Sequence, residues 1–371
     1  MTSALFQPIL LRELRIPNRI MISPMCQYSA TDGNANDWHL IHLGQLALGG
    51  AGLLCIEASA VEAIGRITPN CLGLYSDDNE AAARRLISAL RRHSDMPLAI
   101  QLAHAGRKAS SHTPWDGGKL MDARAGGWEP IAPSALPFSP TEPPPREMND
   151  ADLERVRAAF VHAARRAAAL GIDAIELHAA HGYLLHEFLS PLANRRGDRY
   201  GGSLENRMRF PLEVFRAVRE VWPEVKPLGA RISASDWIEG GWDLPQSIEF
   251  AQRLKAAGCD WIDVSSGGLA PEQKIVLGPG YQVPFAAAIR REVGMPTMAV
   301  GMITDPRQAQ DIVASGKADI VALARGMLFD PHWAWRAAAE LGGEVSAPKQ
   351  YWRAPPRGAE AIFRGAKVGQ R

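Results

Sequence analysis

Residues 149–178 read NDADLERVRAAFVHAARRAAALGIDAIELH, and their pattern changes from a helical period to a short apolar run. Asn149 is placed to cap a helix, and Asp152 follows where its carboxylate can accept hydrogen bonds from exposed backbone amides. Gly171 stands where a left-handed stop is expected, and an apolar run begins directly after it. The stretch therefore predicts an amphipathic helix that packs against the following strand. The apolar side chains of that helix recur every three to four residues, at Leu153, Val156, Phe160 and Ala164.

The same alternation of short apolar runs and longer helical patterns extends along the whole chain. Eight runs are strongly apolar, as buried parallel strands should be, and the segments between them are long enough for a helix. Eight strand–helix units in one chain of this size indicate an α/β fold, a single (β/α)₈ TIM barrel rather than two domains. We predict strands at residues 19–24, 52–58, 98–103, 172–178, 228–233, 261–265, 297–301 and 320–324.

Two segments lie outside this alternation. Residues 117–145 are rich in Gly and Pro and are predicted to leave the barrel after the third strand. They form either a short hairpin over the barrel mouth or a plain surface loop. The residues after Pro355 are polar, basic and without a period, which favours a disordered tail. The predicted organisation is one barrel domain over residues 1–353 and a C-terminal tail over residues 354–371.

Composition limits the function before any motif is considered. The chain carries 41 basic and 40 acidic side chains, so there is no electrostatic case for binding nucleic acid or an anionic membrane. Arg12, Glu13 and Arg15 stand where a signal peptide would need an uninterrupted apolar core, and no run approaches the about 18 apolar residues of a membrane span. The four cysteines have no zinc or iron–sulfur spacing. We expect a reduced cytoplasmic enzyme without a bound metal.

Side-chain parity along the predicted strands brings polar groups into the barrel. In the fourth strand Ile175 and Leu177 share one face, and His178 belongs to the other. If the apolar parity faces the helices, then Gln101, His178 and Arg231 all point inward near the carboxyl ends of their strands. Barrels of this kind carry their chemistry at that end, so this convergence predicts a functional site.

The segment after the fourth strand, residues 178–207, reads HAAHGYLLHEFLSPLANRRGDRYGGSLENR. His178 and His181 stand three residues apart, and Tyr183 follows two residues later. Two imidazoles and a phenol at one strand-to-loop junction can bind an oxyanion and deliver a proton. The spacing is not the helical one of zinc proteases, and no third ligand is obvious, but a metal pair and two structural histidines remain alternatives here.

Three further features are weaker signals. The sequence has no GxGxxG after a strand and no P-loop, but the turns at 301–304 and 324–326 lie where barrels commonly bind a phosphate with backbone amides. Arg325 could add a charge-assisted contact to that phosphate. Cys26 follows the first strand and is a buried thiol by default, since a nucleophilic role would need an adjacent base.

Segment 178–207 resembles the signature of the Old Yellow Enzyme family of FMN-dependent ene-reductases. The cysteine, the His–His pair and the short chain are similar to the thermophilic-like branch, which includes the xenobiotic reductases. The resemblance covers residues 3–353 approximately. Further matching blocks are SPMCQYSA at 23–30, EASAV at 57–61, IQLAHAGRK at 100–108 and AVGMIT at 299–304.

The resemblance implies that FMN binds noncovalently at the carboxyl mouth of the barrel. It places Gln101 at the pyrimidine edge of the flavin and Arg231 beside N1 and O2, where reduced flavin carries negative charge. In related sequences a glycine often precedes Arg325, whereas Ala324 stands here, and a backbone amide donates equally well from either. The remaining implied contacts are Pro24, Met25, Cys26 and Ala60 to the isoalloxazine, and Ser265, Gly267, Gly301, Ala324 and Arg325 to the ribityl phosphate.

The implied reaction is reduction of the C=C bond of an enone or enal, with NADPH or NADH as reductant. Hydride from flavin N5 reaches the β-carbon while His178 and His181 donate N–H groups to the carbonyl oxygen, each worth about 2.7–4 kcal/mol. Tyr183 then protonates the α-carbon, because a phenol with a pKa near 10 keeps its proton at neutral pH. Tyr28 shapes the substrate pocket, and Cys26 tunes the flavin potential and contacts substrate.

The resemblance also implies an oligomer. In the thermophilic-like branch an arginine near the C-terminus reaches into the site of the neighbouring subunit. Arg353 matches that position, with Arg357 as a nearby competitor, which implies a homodimer or homotetramer.

Three other functions are weighed against this one. A dienoyl-thioester reductase of the wider family would need an iron–sulfur cluster and a second nucleotide-binding domain, and the chain has neither the cysteine cluster nor the length. A metal-dependent hydrolase would use His178 and His181 as ligands. A flavin-binding sensor would share the site residues and differ only by the lack of steady-state NADPH consumption.

Overall fold

The computed structural model describes residues 3–367, in which eight parallel strands form a closed barrel. Strand β12 pairs with β3, which closes the barrel, and the other barrel strands are β4, β5 and β8 to β11. Two short two-stranded sheets lie outside it, β1 with β2 and β6 with β7. The twelve strands are β1 (Ile9–Leu11), β2 (Leu14–Ile16), β3 (Ile20–Ile22), β4 (Leu53–Ala60), β5 (Leu98–Ala103), β6 (Ile131–Ala132), β7 (Arg146–Glu147), β8 (Ala174–Ala179), β9 (Leu228–Ser233), β10 (Ile262–Ser265), β11 (Thr297–Ala299) and β12 (Ile320–Leu323).

Helices connect the successive barrel strands, as the alternating pattern predicts. Among the described helices none is long and apolar enough to cross a membrane. The helices are α1 (Asp37–Ala47), α2 (Asp77–Arg91), α3 (Asp150–Ala169), α4 (Leu184–Leu189), α5 (Leu204–Val221), α6 (Leu244–Ala256), α7 (Val283–Val293), α8 (Pro306–Ala314), α9 (Arg325–Phe329) and α10 (Trp333–Leu341).

The (β/α)₈ barrel predicted from the sequence is confirmed, and each of the eight predicted runs overlaps a barrel strand. The predicted helix is also present as α3, where Asn149 and Asp152 form a reciprocal capping box. Gly171 follows the helix with φ +74°, a left-handed conformation that glycine adopts without a steric penalty. The predicted strand ends differ from the observed ones by at most two residues, because hydrogen bonding to the neighbouring strand decides where a strand stops.

The interior of the barrel is apolar at the end where the strands begin. Inward side chains pack there into one cluster with Leu11 and Ile16, which belong to the β1–β2 hairpin. This hairpin therefore closes the amino end of the barrel, a feature that the sequence pattern did not reveal. The other buried residues of the cluster lie on barrel strands or, for Trp261, directly before one. They are Met21, Leu53, Cys55, Ala99, Ala174, Trp261, Met298, Ile320 and Ala322.

The excursion after the third barrel strand lies at the carboxyl end. Strands β6 and β7 run parallel, whereas an antiparallel bridge between Ser111 and Leu120 forms a short hairpin-like turn where the excursion begins. Its residue Phe138 lines a cavity of about 700 Å³ together with Tyr28 and Lys108. The excursion thus walls the mouth of the barrel.

The C-terminal segment returns to the barrel within the described residues. Phe363 forms a bridge with Val345, and its ring centroid lies 4.9 Å from that of Trp335. Packing of Phe363 holds this part of the predicted tail against α10, and residues 368–371 lie outside the described ones. The division of the chain at residue 353 stays a prediction.

A substitution inside the barrel tests the packing at its amino end. A methyl group at Gly229 would lie 2.1 Å from Cε2 of the buried Trp261, so the indole would have to move. We expect Gly229→Ala to lower the free energy of unfolding by about 1–3 kcal/mol, as overpacking does. Gly44 in α1 has no atom within 4 Å of the corresponding position, so Gly44→Ala should stabilise the protein by about 0.5–1 kcal/mol. Urea unfolding of both variants checks this, and equal effects would contradict it.

Candidate active site

A layer of charged and amide side chains lies directly above the apolar interior. Strand register places Gln101 opposite Glu176 and Arg231 opposite Asp263. The Nε of Arg231 donates to Oδ2 of Asp263 at 2.8 Å and lies 3.6 Å from Oε1 of Glu176. Gln101 Nε2 donates to the same Glu176 oxygen at 2.8 Å. All four side chains are buried, and the inward parity predicted for Gln101 and Arg231 is confirmed.

Electrostatics within this layer fix which groups are charged. Burial and, to a lesser extent, the charge of Asp263 raise the pKa of Glu176, while Arg231 lowers it. The net result is a pKa of about 8, so Glu176 holds its proton at neutral pH. Burial also works against the charge on Arg231, but Asp263 and Glu176 outweigh it and raise the pKa of the guanidinium above its usual value. The layer therefore contains a permanent cation, the guanidinium of Arg231, which pairs directly with Asp263.

The two predicted histidines and the tyrosine meet above this layer. The ring centroid of His178 lies 5.1 Å from that of His181 and 4.9 Å from that of Tyr183, both edge to face. The Nδ1 of His178 is buried and has no hydrogen-bond partner among the described residues. The Nε2 of His181 lies 2.6 Å from the hydroxyl of Ser265. A buried polar atom without a partner is expected where a ligand supplies the missing hydrogen bond.

Burial also sets the protonation of these three groups. It lowers the pKa of both His178 and His181 well below the usual value, and the nearby charges of Arg231 and Lys108 lower it further. Burial raises the pKa of Tyr183 well above its usual value. At neutral pH the site thus offers two neutral imidazoles, each able to donate one N–H, and a phenol that keeps its proton.

Hydrogen bonds from the end of β9, from the loop after β5 and from helix α4 hold the turn between the histidines. The backbone N–H of His181 donates to the Ser233 hydroxyl at 2.9 Å, and Lys108 Nζ donates to the carbonyl of His181 at 2.9 Å. The next N–H, of Gly182, donates to Nδ1 of His186 at 2.9 Å, and Nε2 of His186 lies 3.0 Å from Oδ1 of Asp236. Sequence reasoning missed all of these supports. Lys108 is the last residue of the segment IQLAHAGRK at 100–108, but no local sequence signal connects it with His181.

The loop after β3 carries the predicted isoalloxazine contacts. Pro24, Met25 and Cys26 are half-buried, and the N–H of Gln27 donates to the buried Glu57 carboxylate at 3.0 Å. Burial raises the pKa of the Cys26 thiol well above its usual value, with further increases from Cys71 and Glu57. Cys26 is therefore a neutral thiol without an activating base, which does not suit a nucleophile.

Turns at the carboxyl ends of β10 to β12 bring together the predicted phosphate residues. Gly301 has φ +117°, and Tyr281 packs so closely on it that a Cβ there would lie 3.0 Å from the ring. The charge of Arg325 acts on the phenol of this same Tyr281. Ser265 lies nearby on β10, although its hydroxyl contacts His181, so a phosphate role for Ser265 stays a prediction. Ala60 lies at the end of β4, and Gly267 follows β10 with φ +72°.

Arg353 lies far from these groups. Tyr351 and Trp352, directly before it, line a cavity with Pro17, Gly50 and Met96, which precede β3, β4 and β5. Those residues mark the amino end of the barrel, opposite the candidate site. The side chain of Arg353 is exposed there.

The polar groups at the carboxyl end fit the flavin that the sequence resemblance implies. The Oε1 of Gln101 and the guanidinium of Arg231 offer an acceptor and a cation to a ring with polar edges, and the small Ala58 and Ala60 leave space for a planar group. Within residues 3–367 no group of three or more His, Cys, Asp or Glu side chains is arranged to hold a metal ion. A redox cofactor, rather than a metal ion, matches the donor set.

Comparisons with known proteins agree with this chemistry. The model of the NADH:flavin oxidoreductase / NADH oxidase family matches residues 4–344. An NADPH dehydrogenase of Geobacillus sp. (strain WCH70) is 49% identical over 355 residues, which are 95% of this chain and 99% of that protein. Morphinone reductase is 26% identical with a TM-score of 0.76, covering 99% of this chain and 95% of the other.

Two further structures extend the comparison. Morphinone reductase in complex with tetrahydroNAD matches with a TM-score of 0.75 and 26% identity, over 99% of this chain and 96% of that one. A 2-naphthoyl-CoA reductase complex is 28% identical with a TM-score of 0.80, over 89% of this chain. The matched region is 51% of the naphthoyl-CoA reductase chain, so this protein spans about half of it. The chain belongs to the NADH:flavin oxidoreductase / NADH oxidase family, the Old Yellow Enzyme family of FMN-dependent oxidoreductases.

Proposed function

We propose that the protein is an ene-reductase that reduces the C=C bond of α,β-unsaturated carbonyl compounds with NADPH or NADH. The observation that carries this proposal is the buried, unpartnered Nδ1 of His178 beside the neutral imidazole of His181 and the protonated phenol of Tyr183. A hydride acceptor that becomes an enolate needs hydrogen-bond donors at its oxygen and a proton at its α-carbon. These three side chains supply both.

FMN bound at this site would supply the hydride-transfer chemistry between the nicotinamide coenzyme and the β-carbon of the substrate. Gln101 and Arg231 hold its ring in the proposal, and the cation of Arg231 favours the negative charge of the reduced ring. Pro24, Met25 and Cys26 contact the isoalloxazine.

Further cofactor contacts come from backbone groups and one side chain. The amide groups around Gly301 and Ala324, with the guanidinium of Arg325, hold the ribityl phosphate, as positive groups at strand ends of barrels do. Ala60 would contact the ring system, and Ser265 and Gly267 would also hold the ribityl phosphate.

His178 and His181 act on the carbonyl oxygen. Each neutral imidazole donates one N–H, and these hydrogen bonds strengthen as negative charge builds up on the oxygen. Neutrality matters because an imidazolium would instead transfer its proton to the enolate oxygen. Burial lowers the pKa of both rings well below the usual value, so both imidazoles are neutral at neutral pH.

Tyr183 delivers the proton to the α-carbon. Its ring lies edge to face against His178, so the oxygen and the α-carbon of one substrate can be reached from neighbouring side chains. Tyr28, at the cavity below the excursion, shapes the substrate pocket.

We further propose a homodimer or homotetramer in which Arg353 enters the site of a neighbouring subunit. The candidate site of its own chain lies at the other end of the barrel, so a second copy is required for such a contact. An arginine there can bind the substrate or the coenzyme through charge-assisted hydrogen bonds.

A visible spectrum tests the proposed function directly. The purified protein should be yellow, bleach on anaerobic addition of NADPH, and turn yellow again when cyclohexenone is added, because the two substrates react in succession. Colour that bleaches but is not restored by the enone would point to the flavin sensor instead. A colourless protein with stoichiometric zinc would favour the hydrolase.

The role of Tyr183 is tested by Tyr183→Phe. The enone reaction should slow about 100-fold or more, as loss of a general acid does, while bleaching by NADPH keeps its rate because no proton is transferred in that step. Stopped-flow absorbance separates the two reactions. Tyr75→Phe is the matched control, since its hydroxyl donates to the carbonyl of Asp32 away from the site and neither rate should change. If Tyr183→Phe also lost the bleaching by NADPH in the absence of enone, the assignment would be wrong.

The oligomer and Arg353 are tested together. Arg353→Ala should raise the KM for cyclohexenone about tenfold, through loss of a charge-assisted contact, without changing the FMN content. Arg357→Ala serves as the matched variant and decides which arginine enters the site. Sedimentation should show at least a dimer. A monomer with unchanged KM in Arg353→Ala would end this part of the proposal.

A further inference from the structure

The backbone of His181 has a conformation that side-chain residues adopt rarely. Its φ is +59°, in the left-handed region, where a Cβ comes too close to the following carbonyl oxygen. Such a conformation persists only where the surroundings hold it. Gly268 packs against this same backbone, since a Cβ at Gly268 would lie 2.6 Å from the Cα of His181. The direction of the His181 imidazole thus depends on what holds residue 181.

Lys108 makes the contact that connects the two loops involved. Its Nζ donates to the carbonyl oxygen of His181 at 2.9 Å and to that of Gly268 at 3.0 Å. The same ammonium group lies 5.0 Å from the ring centroid of Tyr183 and 4.8 Å from that of Phe138. A cation that is held over two aromatic faces and bonded to two carbonyls has one defined position. Lys108 therefore fixes the turn after β8 against the turn after β10.

We propose that Lys108 is a positioning residue for His181: its ammonium group holds the carbonyl of His181 in the left-handed conformation that places the imidazole beside His178. The proposal rests on the proposed function, in which His181 donates to the substrate carbonyl. Lys108 acts through His181 and not on the substrate. Ser233 holds the N–H of His181 from the other side, but as a neutral hydroxyl it does so at every pH.

The pKa of Lys108 makes this contact depend on pH. Burial lowers the pKa of Lys108 most, Glu187 opposes this effect, and Arg107 adds to it. The net result is a pKa of about 8. Below pH 8 the ammonium form donates to both carbonyls. As the pH rises through 8 the ammonium group of Lys108 loses its proton, and its hydrogen bond to the carbonyl of His181 weakens. Among the other groups that face Lys108, His178 and His181 have a lowered pKa and Tyr183 a raised one, so they do not account for a change there, whereas Glu187 has a pKa of about 8 and needs its own control.

Steady-state enone reduction between pH 7 and pH 9 tests the proposal. In the unaltered enzyme kcat should fall about fivefold over this interval, following the ammonium form of Lys108. Lys108→Met should have a kcat about tenfold lower at pH 7, since a small misplacement of a donor is costly, and a flat profile up to pH 9. Lys108→Arg keeps its charge throughout, so it should restore most of kcat at pH 7 and lose the fall.

Two controls separate this role from other causes. Lys274→Met removes an exposed lysine near the same turn and should keep both kcat and the fall. Burial raises the pKa of Glu187 to about 8, so Glu187 is the competing source of a change at this pH. Glu187→Gln removes a charge that raises the pKa of Lys108, so the fall should remain and move to lower pH. A fall that survives in Lys108→Met, or vanishes in Glu187→Gln, overturns the proposal.

A readout without turnover keeps this test independent of the proposed function. In protein with ¹³C-labelled histidine, the signal of His181, assigned by its loss in His181→Asn, should shift between pH 7 and pH 9. The same signal should stay constant in Lys108→Met. A constant signal in the unaltered protein would refute the role of Lys108 even if the enone is reduced. If the signal shifts as expected but no enone is reduced at any pH, the proposed function fails and the positioning role stands.

Discussion

The ion pair between Arg231 and Asp263 inside the barrel is the interaction on which the rest of the site depends. A guanidinium in a closed barrel is tolerable only when it is paired and hydrogen-bonded, since an unpaired buried charge costs several kcal/mol, on the order of 3–5. Strand register supplies the partner, because Asp263 stands opposite Arg231 on the neighbouring strand. The pair marks the height at which the interior changes from apolar to polar.

The positive charges around this height also determine the state of the groups above it. Burial and the fields of Arg231 and Lys108 together keep both imidazoles neutral, while Tyr183 keeps its proton. Neutral donors beside a permanent cation are suited to charge that develops during a reaction, because they need no rearrangement when it appears. The same field would be unsuitable for binding a metal cation. The electrostatic design thus agrees with the family to which the chain belongs.

The features that were predictable from the sequence are those with a local cause. The eight strands, the capped helix α3 and the inward parity of Gln101 and Arg231 follow from period and burial alone. Glu176 has the same parity along its strand as His178, but nothing in the sequence pattern tells which carboxylate pairs with Arg231. The β1–β2 hairpin could not be predicted, because its three-residue strands are too short to show a period.

The supports of the His178–Tyr183 turn had no local signal either. Lys108 and His181 are 73 residues apart, and His181 and Ser265 are 84 residues apart. Their contacts depend on how separate loops lie against one another at the carboxyl end, which alternation within a strand cannot encode. The sequence predicts that these residues lie at the carboxyl end of the barrel. It does not predict the hydrogen bonds between them.

The β1–β2 hairpin that fills the amino end of the barrel has a kinetic consequence. Because Leu11 and Ile16 fill the amino end of the barrel, the proposed flavin site of the described chain is approached from the carboxyl end. In the function proposed here a reduced nicotinamide and an enone both need that mouth, so the product of one must depart before the other can arrive. Such alternation gives parallel lines in double-reciprocal plots, and a high concentration of either reactant obstructs the other.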